Sequence, residues 1–225
     1  MLFSIRKKIY QGFSKKSKKY SRKNLYDRLK IELADIQSDS KILNVGAGGD
    51  VAHIIKQELG QKIVDLKSMD IDPAMNPDII GDVCRIPFPD QSIDFIIMME
   101  VLEHVKEPFI AVSEIYRVLK PGGRVILSTP FIYPVHAEPH DYFRYTKNGL
   151  LYMFRFFKAI EVIERNSYIE AIDVLLIRSI SDADEKARFF SLVSYYSGLR
   201  LIMRLCGLGI KSKNLTTGYV AIAQK

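Results

Sequence analysis

A glycine-rich segment has the composition of a turn that binds a ligand through its backbone. The segment Asn44-Val45-Gly46-Ala47-Gly48-Gly49-Asp50 follows an apolar run, and glycine lets the backbone approach a ligand closely. A helix starting there would direct free N–H groups and its positive dipole end at that ligand. A tight turn without a ligand has the same composition. The dinucleotide fingerprint would need a glycine where Val51 stands, which argues against a pyrophosphate ligand.

Acidic residues at the ends of the next two apolar runs extend this pattern. Asp70 ends the second run, where a carboxylate can accept hydrogen bonds from both hydroxyls of a ribose. Asp72 is the alternative, because the strand pleat directs residues two apart to the same face; we prefer Asp70 because it ends the strand. Asp82, in Gly81-Asp82-Val83, could receive the amino group of an adenine. Ligands bind at the carboxyl edge of open α/β sheets, where these acids would meet.

The elements that position these residues follow from alternating apolar runs and helical periodicity. Such alternation is typical of a Rossmann-like α/β fold, a three-layer sandwich with a mostly parallel sheet covered on both faces. Tyr168–Ile180 could be strand or helix. The predicted strands are 41–47, 64–71, 79–83, 92–100, 123–129, 159–164 and 216–224, and the predicted helices are 24–37, 50–59, 107–119 and 146–157, with a mostly helical insertion at about 182–208.

The ordered motifs resemble those of the class I S-adenosylmethionine (SAM)-dependent methyltransferases. The resemblance covers about residues 41–130, with a looser similarity to residue 150. It rests on Asn44 to Asp50, Met69-Asp70-Ile71-Asp72, Gly81-Asp82, Arg85-Ile86-Pro87-Phe88-Pro89-Asp90, Glu100-Val101-Leu102-Glu103-His104-Val105 and Glu114-Ile115-Tyr116-Arg117-Val118-Leu119-Lys120-Pro121-Gly122-Gly123.

The resemblance implies a seven-stranded sheet with an antiparallel closing strand, and a SAM site at its edge. The methionine part would lie at Asn44, Gly46, Ala47 and Gly48, the ribose at Asp70 with Ile71 beside it, and the adenine at Asp82 and Val83, with Glu100 helping to close the pocket. In the family an acidic residue often stands where this chain has Asn44. An amide can orient the turn but pairs less strongly with an ammonium group.

Methyl transfer from a sulfonium is an in-line displacement, so positioning supplies most of the catalysis. A general base is needed when the acceptor holds its proton at the working pH. The candidates for a base are His104, His136, His140 and Asp141, and Arg144 and Tyr145 are the candidates for binding substrate.

Simpler interpretations of the same residues remain open. His104 could cap or pack against the next helix, and Arg144 could pair with Asp141. Two histidines and an acid could suggest a metal, but a further ligand at a recognised spacing is missing, so we expect none. The aromatic run 150–157 could line an apolar acceptor pocket or belong to the core, and the apolar segment 189–210 could cap the substrate site, pack on the sheet or lie on a membrane.

The positive charge is concentrated at one end of the chain. The net charge is +7, and residues 1–23 hold nine basic and no acidic residues. Residues 24–225 therefore carry 24 basic against 26 acidic residues, or −2. We predict a basic arm at 1–23 and a methyltransferase domain at 24–225. The arm could meet an anionic membrane, a nucleic acid or nothing, and its interleaved apolar residues slightly favour a membrane.

The remaining composition bounds the location. Two cysteines, Cys84 and Cys206, suit a reducing compartment and a core role better than a disulfide framework. We see no signal peptide and no apolar window long enough to span a bilayer. The expectation is a cytoplasmic protein, peripherally attached to a membrane at most.

The sequence therefore predicts a SAM-dependent methyltransferase acting on a small-molecule or a saccharide- or lipid-linked acceptor, with oxygen the preferred atom. One alternative is an RNA methyltransferase that grips phosphates with the basic arm. The others are a non-catalytic scaffold recruited to membranes and a nicotinamide-dependent oxidoreductase, which Val51 and Asp82 disfavour.

Overall fold

Seven strands form a single sheet in the order β3-β2-β1-β4-β5-β7-β6. The computed structural model describes residues 12–13, 15–48, 50–60, 62–135, 140–182, 198, 201–202, 205 and 214–225. The strands are β1 (Lys41–Val45), β2 (Asp65–Asp70), β3 (Ile79–Ile80), β4 (Ile93–Met99), β5 (Leu119–Pro130), β6 (Ala159–Glu164) and β7 (Gly218–Gln224).

Parallel pairing joins β1 to β2 and β4, β2 to β3, and β4 to β5. β7 runs the other way beside β6: the Lys158 N–H donates to the Gln224 carbonyl and the Arg165 N–H to the Gly218 carbonyl, so rising numbers on one strand meet falling numbers on the other. The predicted fold class, with its antiparallel closing strand, is confirmed.

Helices cover both faces of the sheet. Side chains of a strand alternate between faces, and in β4 Phe95, Ile97 and Met99 join one apolar cluster while Ile96 and Met98 join the other. Both clusters are buried, which gives the predicted three layers. The helices are α1 (Lys23–Ala34), α2 (Asp50–Leu59), α3 (Pro108–Val118), α4 (Lys147–Met153) and α5 (Tyr168–Asp182).

The helical periodicity predicted at the start of the chain is confirmed. Leu25, Leu29 and Leu33 of α1 are fully buried and belong to the same apolar cluster as Ile42 and Ile97. The ambiguous segment from Tyr168 is a helix, α5.

Some element boundaries differ from the predicted ones for local reasons. β3 ends at Ile80 because Asp82 caps a short 3-10 turn at Val83–Arg85. α4 ends at Met153 instead of residue 157, since Phe154 leaves the helical conformation. β5 begins at Leu119 and carries the Pro-Gly-Gly sequence within it.

The chain divides into two compact units. One contains residues 1–24 and 164–218, and the other contains residues 25–163 and 219–225. In the first unit, Ile177 and Ile180 of α5 pack with Phe13. The predicted boundary at residue 23 and the insertion at 182–208 remain predictions, because most of that insertion lies outside the described residues. Among the described helices, none is long and apolar enough to cross a membrane.

Candidate functional site

The turn after β1 requires glycine at its first position. Gly46 has φ +88°, in the left-handed region, and a Cβ added there would lie 2.6 Å from Cγ2 of Val101. Its N–H donates to the Met69 carbonyl at 2.8 Å, which fixes the turn against β2. The turn therefore keeps its backbone bare at the carboxyl edge of the sheet, as the sequence predicts.

Asn44 is the last residue but one of β1, and its side chain is buried. Its Nδ2 donates to the Gly46 carbonyl at 3.2 Å, so the amide orients the turn. Its Oδ1 is buried and finds no hydrogen-bond partner among the described residues. A buried acceptor without a partner has a free-energy cost that a ligand donor would relieve.

Asp70 links the glycine turn to the end of β2. Its Oδ2 accepts a hydrogen bond from the Ala47 N–H at 2.8 Å, and its Oδ1 accepts one from the Asp72 N–H at 3.0 Å. Asp72 lies beyond the strand, where its Oδ1 accepts from the Ala74 N–H and caps the Pro73–Met75 turn. The two acids therefore do not share a strand face, because β2 ends at Asp70.

The adjoining segment brings Asp82 to the same edge. Ile80 pairs with Asp70, and the Gly81 N–H donates to the Asp70 carbonyl at 2.9 Å. Asp82 Oδ1 accepts from the Cys84 N–H at 2.8 Å, and Val83 is buried beside it. Burial and the Asp82 charge raise the pKa of the Cys84 thiol to about 11, so this thiol stays protonated at neutral pH.

Apolar side chains close to these acids are exposed to solvent. Ile71 is 70% exposed and Met75 is 45% exposed, and the Met75 sulfur would lie 3.1 Å from a Cβ added at Gly48. Apolar surface beside a few accessible polar groups is typical of a ligand pocket.

Glu100 follows β4 in a strained conformation. Its φ is +57°, which is uncommon for a residue other than glycine and is found at functional sites. Buried Ser128 holds it: the Glu100 N–H donates to the Ser128 carbonyl at 3.0 Å, and the Ser128 hydroxyl donates to Glu100 Oε1 at 3.0 Å. β1 pairs with β4 through Val45 and Met98, so Glu100 lies beside the glycine turn.

Ser128 belongs to none of the motifs described for the sequence. The signal that could have found it is the polar pair Ser128-Thr129 directly after the apolar residues 125–127. Which of the two would contact Glu100 depends on the register between β4 and β5, where Met99 pairs with Ser128.

Backbone and side-chain contacts bring several catalytic candidates together. The N–H groups of Tyr142 and Phe143 donate to the Glu103 carbonyl. Nδ1 of His104 lies 2.6 Å from the His140 carbonyl, which can only accept, so Nδ1 donates the hydrogen bond, and Nε2 lies 3.7 Å from Oε1 of buried Glu103. His136 lies outside the described residues.

Arg144 and Tyr145 are engaged within the protein. Arg144 makes a bidentate pair with Asp141, whose hydrogen bonds raise the pKa of the guanidinium. Buried Tyr145 donates its hydroxyl to the Leu102 carbonyl at 3.0 Å, and burial raises its pKa above the usual value. The ion-pair interpretation of Arg144 therefore describes its contacts, and Tyr145 belongs to the buried core cluster.

Arg117 of α3 joins this helix to the segment that follows β3. Its guanidinium donates to the Ile86 and Phe88 carbonyls and to the carboxylates of Glu114 and Asp90. These hydrogen bonds and ion pairs of Arg117 therefore explain part of the sequence pattern at residues 85–90 and 114–123. Among the described residues, no three His, Cys, Asp or Glu side chains are arranged to hold a metal ion.

Part of the chain is similar in sequence to known methyltransferases. Residues 43–127 match the family model described as "Methyltransferase domain". A demethylmenaquinone methyltransferase from Paenarthrobacter aurescens is 30% identical over 115 residues, which are 48% of this chain and 45% of the relative. This chain thus spans about half the length of that relative. The resemblance found in the sequence is confirmed for this domain.

Solved structures with the same fold extend over most of the chain. A SAM-dependent methyltransferase from Archaeoglobus fulgidus aligns with a TM-score of 0.57 at 16% identity, covering 91% of this chain and 95% of its own. Phosphoethanolamine N-methyltransferase 2 of Haemonchus contortus, solved with SAM, aligns with a TM-score of 0.56 at 18% identity, covering 90% and 52%. At these identities the likeness concerns the fold.

Proposed function

We propose that this chain, which carries a class I methyltransferase domain, binds SAM at the carboxyl edge of its sheet and methylates a small apolar or lipid-linked acceptor. The observation that supports this most directly is the bare turn at Gly46 joined to Asp70 through the Ala47 N–H. Backbone N–H groups, a carboxylate and exposed apolar side chains then meet at one edge.

The residues present fit an adenosyl ligand. Buried Asn44 Oδ1 would accept from the ammonium group, Asp70 would accept from the ribose hydroxyls, and Asp82 with Val83 would hold the adenine. Exposed Ile71 and Met75 would cover the apolar faces of the ligand. Bound SAM supplies an electrophilic methyl group on a sulfonium. Glu100, fixed by Ser128, would hold a negative charge near that sulfonium.

On the acceptor side, His104 is the best-placed general base. With Nδ1 donating to the His140 carbonyl, Nε2 would accept the proton of a hydroxyl acceptor as its oxygen takes the methyl group, and Glu103 Oε1, 3.7 Å from Nε2, would stabilise the resulting imidazolium. Asp141 and Arg144 would act as a pair that shapes the wall of the acceptor pocket. We propose oxygen as the acceptor atom. His140 would lie beside His104 at the acceptor site.

The charge distribution and the curated relative support the proposed acceptor class. That relative is a demethylmenaquinone methyltransferase by name, which favours a lipid-like acceptor. The basic residues of the arm at 1–23, together with its apolar residues, suit an anionic membrane surface better than a phosphate track, because residues 24–225 carry a net charge of −2. We therefore propose a peripheral protein on the cytoplasmic side of a membrane.

Calorimetry with SAM and with its demethylated product tests the donor site. We expect both to bind to the full chain, and a lipid extract incubated with methyl-tritiated SAM and the protein to become labelled in the organic phase. If neither nucleoside binds, the scaffold interpretation is correct and the proposed function is wrong.

Removing positive charge from the arm separates the membrane and RNA alternatives. Phe13 packs with α5 and Ser17 and Ser21 are buried, so the segment is kept and five basic residues are replaced by glutamine: Arg6, Lys7, Lys8, Lys15 and Lys19. We expect this variant to bind SAM with unchanged affinity and to label water-dispersed lipid acceptor, but to bind anionic vesicles less tightly. Methylation of RNA by the full chain, abolished in this variant, would contradict a lipid-linked substrate and support the RNA alternative.

The hydroxyl of Ser128 gives a further prediction. We expect Ser128→Ala to weaken SAM binding by roughly 0.5–1.5 kcal/mol, because Glu100 loses the hydrogen bond that orients its carboxylate. Calorimetry measures the change. Thr129→Val is the matched control: Thr129 is the neighbouring buried residue, and its hydroxyl has no hydrogen-bond partner among the described residues. Equal losses in both variants would show a packing effect instead.

A further inference from the structure

Two exposed aromatic residues of the run 150–157 lie outside the core. Leu150, Met153, Phe154 and Phe157 are buried, whereas Tyr152 is 60% exposed and Phe156 is 69% exposed. Neither interpretation made from the sequence accounts for them, because the exposed pair neither fills the core nor lines an enclosed pocket.

Residues of α3 extend this apolar surface. Phe109 is 55% exposed and Ile110 is 50% exposed, in the first turn of the helix. The Phe109 and Tyr152 rings meet edge to face with centroids 6.4 Å apart, so the two elements form one surface. We refer to Phe109, Ile110, Tyr152, Arg155 and Phe156 as the aromatic patch. Contiguous exposed apolar surface of this kind marks interaction sites.

A cation fixes the aromatic rings of the patch. The Arg155 guanidinium carbon lies 4.2 Å from the Tyr152 ring centroid and 4.3 Å from that of Phe156, and its Nη1 donates to the Tyr152 carbonyl at 2.9 Å. Both rings are therefore held outward in place, which lowers the entropy lost when they insert into a partner.

The charge is positive on the α4 side of the patch, whereas exposed Lys106 and Glu107 cancel on the α3 side. Residues 142–160 contain Arg144, Lys147, Arg155 and Lys158 and no acidic residue. Arg144 is neutralised by Asp141, while Arg155 and Lys158 are exposed. Aromatic rings beside exposed basic side chains suit the boundary between lipid headgroups and acyl chains, where rings enter the apolar layer and cations meet anionic headgroups.

We propose that the aromatic patch is a second membrane contact. It docks the compact unit of residues 25–163 and 219–225 on an anionic lipid surface, independently of the arm at 1–23. This inference rests on the proposed function, because α3 begins shortly after His104 and α4 begins after the loop that carries His140 and Asp141. A lipid-linked acceptor would then reach the rim of the sheet from the membrane itself.

A second copy of the chain fits the patch less well. A two-fold dimer brings the same surface of both copies together, so Arg155 and Lys158 would face like charges. A lipid surface with anionic headgroups provides the opposite charge and an apolar layer at once.

The absence of tryptophan from the sequence permits a site-specific test. Phe156→Trp in the full chain introduces a single indole at the patch, and Ile63→Trp introduces one at a site 76% exposed that precedes β2. With vesicles of phosphatidylcholine and phosphatidylglycerol we expect a blue shift of emission for Phe156→Trp and none for Ile63→Trp. Vesicles of phosphatidylcholine alone should give a weaker shift.

Binding constants provide the second measurement. We expect the full chain with Tyr152→Ser and Phe156→Ser together to bind anionic vesicles roughly tenfold more weakly, because two rings no longer enter the apolar layer. Ile63→Ser should bind like the parent chain. The arm is the same in every variant, so the difference reports the patch.

Three outcomes would overturn the proposal. The first is equal vesicle binding by the patch variants and the parent chain. The second is a dimer in sedimentation analysis that the patch variants abolish while vesicle binding is kept. The third is a loss of RNA binding in these variants without a loss of vesicle binding. SAM affinity is measured in parallel: a chain that binds vesicles through the patch but binds no SAM would contradict the proposed function and leave the patch in place.

Discussion

Gly46→Ala is expected to destabilise the protein by about 2–5 kcal/mol and to weaken SAM binding strongly. The new Cβ would require a left-handed backbone at a cost of about 1–2 kcal/mol, and it would overlap Cγ2 of Val101 at 2.6 Å, an overpacking that costs about 1–3 kcal/mol. The relief of strain moves the turn away from the donor site. Chemical denaturation measures the first effect, and calorimetry with SAM measures the second.

Gly122→Ala separates the backbone cost from the effect on the site. Gly122 also has a positive φ, +79°, but an added Cβ meets nothing within 4 Å, and its N–H pairs with the Lys225 carbonyl away from the glycine turn. We expect it to lose about 1–2 kcal/mol of stability with unchanged SAM affinity. Adding Val101→Ala to Gly46→Ala should restore part of the stability. Normal SAM affinity in Gly46→Ala would contradict the placement of the donor at this turn.

Asp70→Ala should weaken SAM binding by roughly 1–3 kcal/mol, about 5- to 150-fold in Kd. The substitution removes the proposed acceptor of the ribose hydroxyls. It also removes the hydrogen bond that Asp70 Oδ2 accepts from the Ala47 N–H, so the glycine turn loses its connection to β2. Asp70→Asn keeps the shape and one acceptor oxygen, and an intermediate loss is expected. Calorimetry measures the SAM affinity of Asp70→Ala, Asp70→Asn and the parent chain.

Asp72→Ala is the matched control for this prediction. Asp72 is exposed and lies beyond the end of β2, where its carboxylate caps a short turn through the Ala74 N–H. We expect little change in SAM affinity. A large loss in Asp72→Ala with none in Asp70→Ala would move the ribose role to Asp72.

The sequence brings the proposed donor residues into view because the information needed is local. Gly46 follows β1, Asp70 ends β2 and Asp82 lies two residues after β3, and parallel strands bring their carboxyl ends to one edge of the sheet. The order of Gly46, Asp70 and Asp82 along the chain therefore became an order along the edge, through β1, β2 and β3. The distinction between Asp70 and Asp72 needed the last residue of β2, which alternation alone leaves uncertain by one or two positions.

The acceptor side was less predictable because its contacts join residues far apart in the chain. Tyr145 is polar and follows the candidate histidines, yet its hydroxyl donates to the Leu102 carbonyl in the core. Ser128 has no motif of its own, and its role at Glu100 comes from the pairing of β4 with β5. Apart from Arg155 the run 150–157 consists of apolar and aromatic residues, and burial separates Phe154 from Phe156.

By itself the sequence determined the fold class and the order of the elements up to β6, and it gave the candidate donor residues, since strand periodicity and glycine positions are properties of neighbouring residues. The tertiary structure decided which polar side chains pair with one another and which aromatic side chains remain in solvent. Those outcomes depend on strand register and on the packing of α3 and α4, where residues distant in sequence compete for the same contacts and the same buried volume.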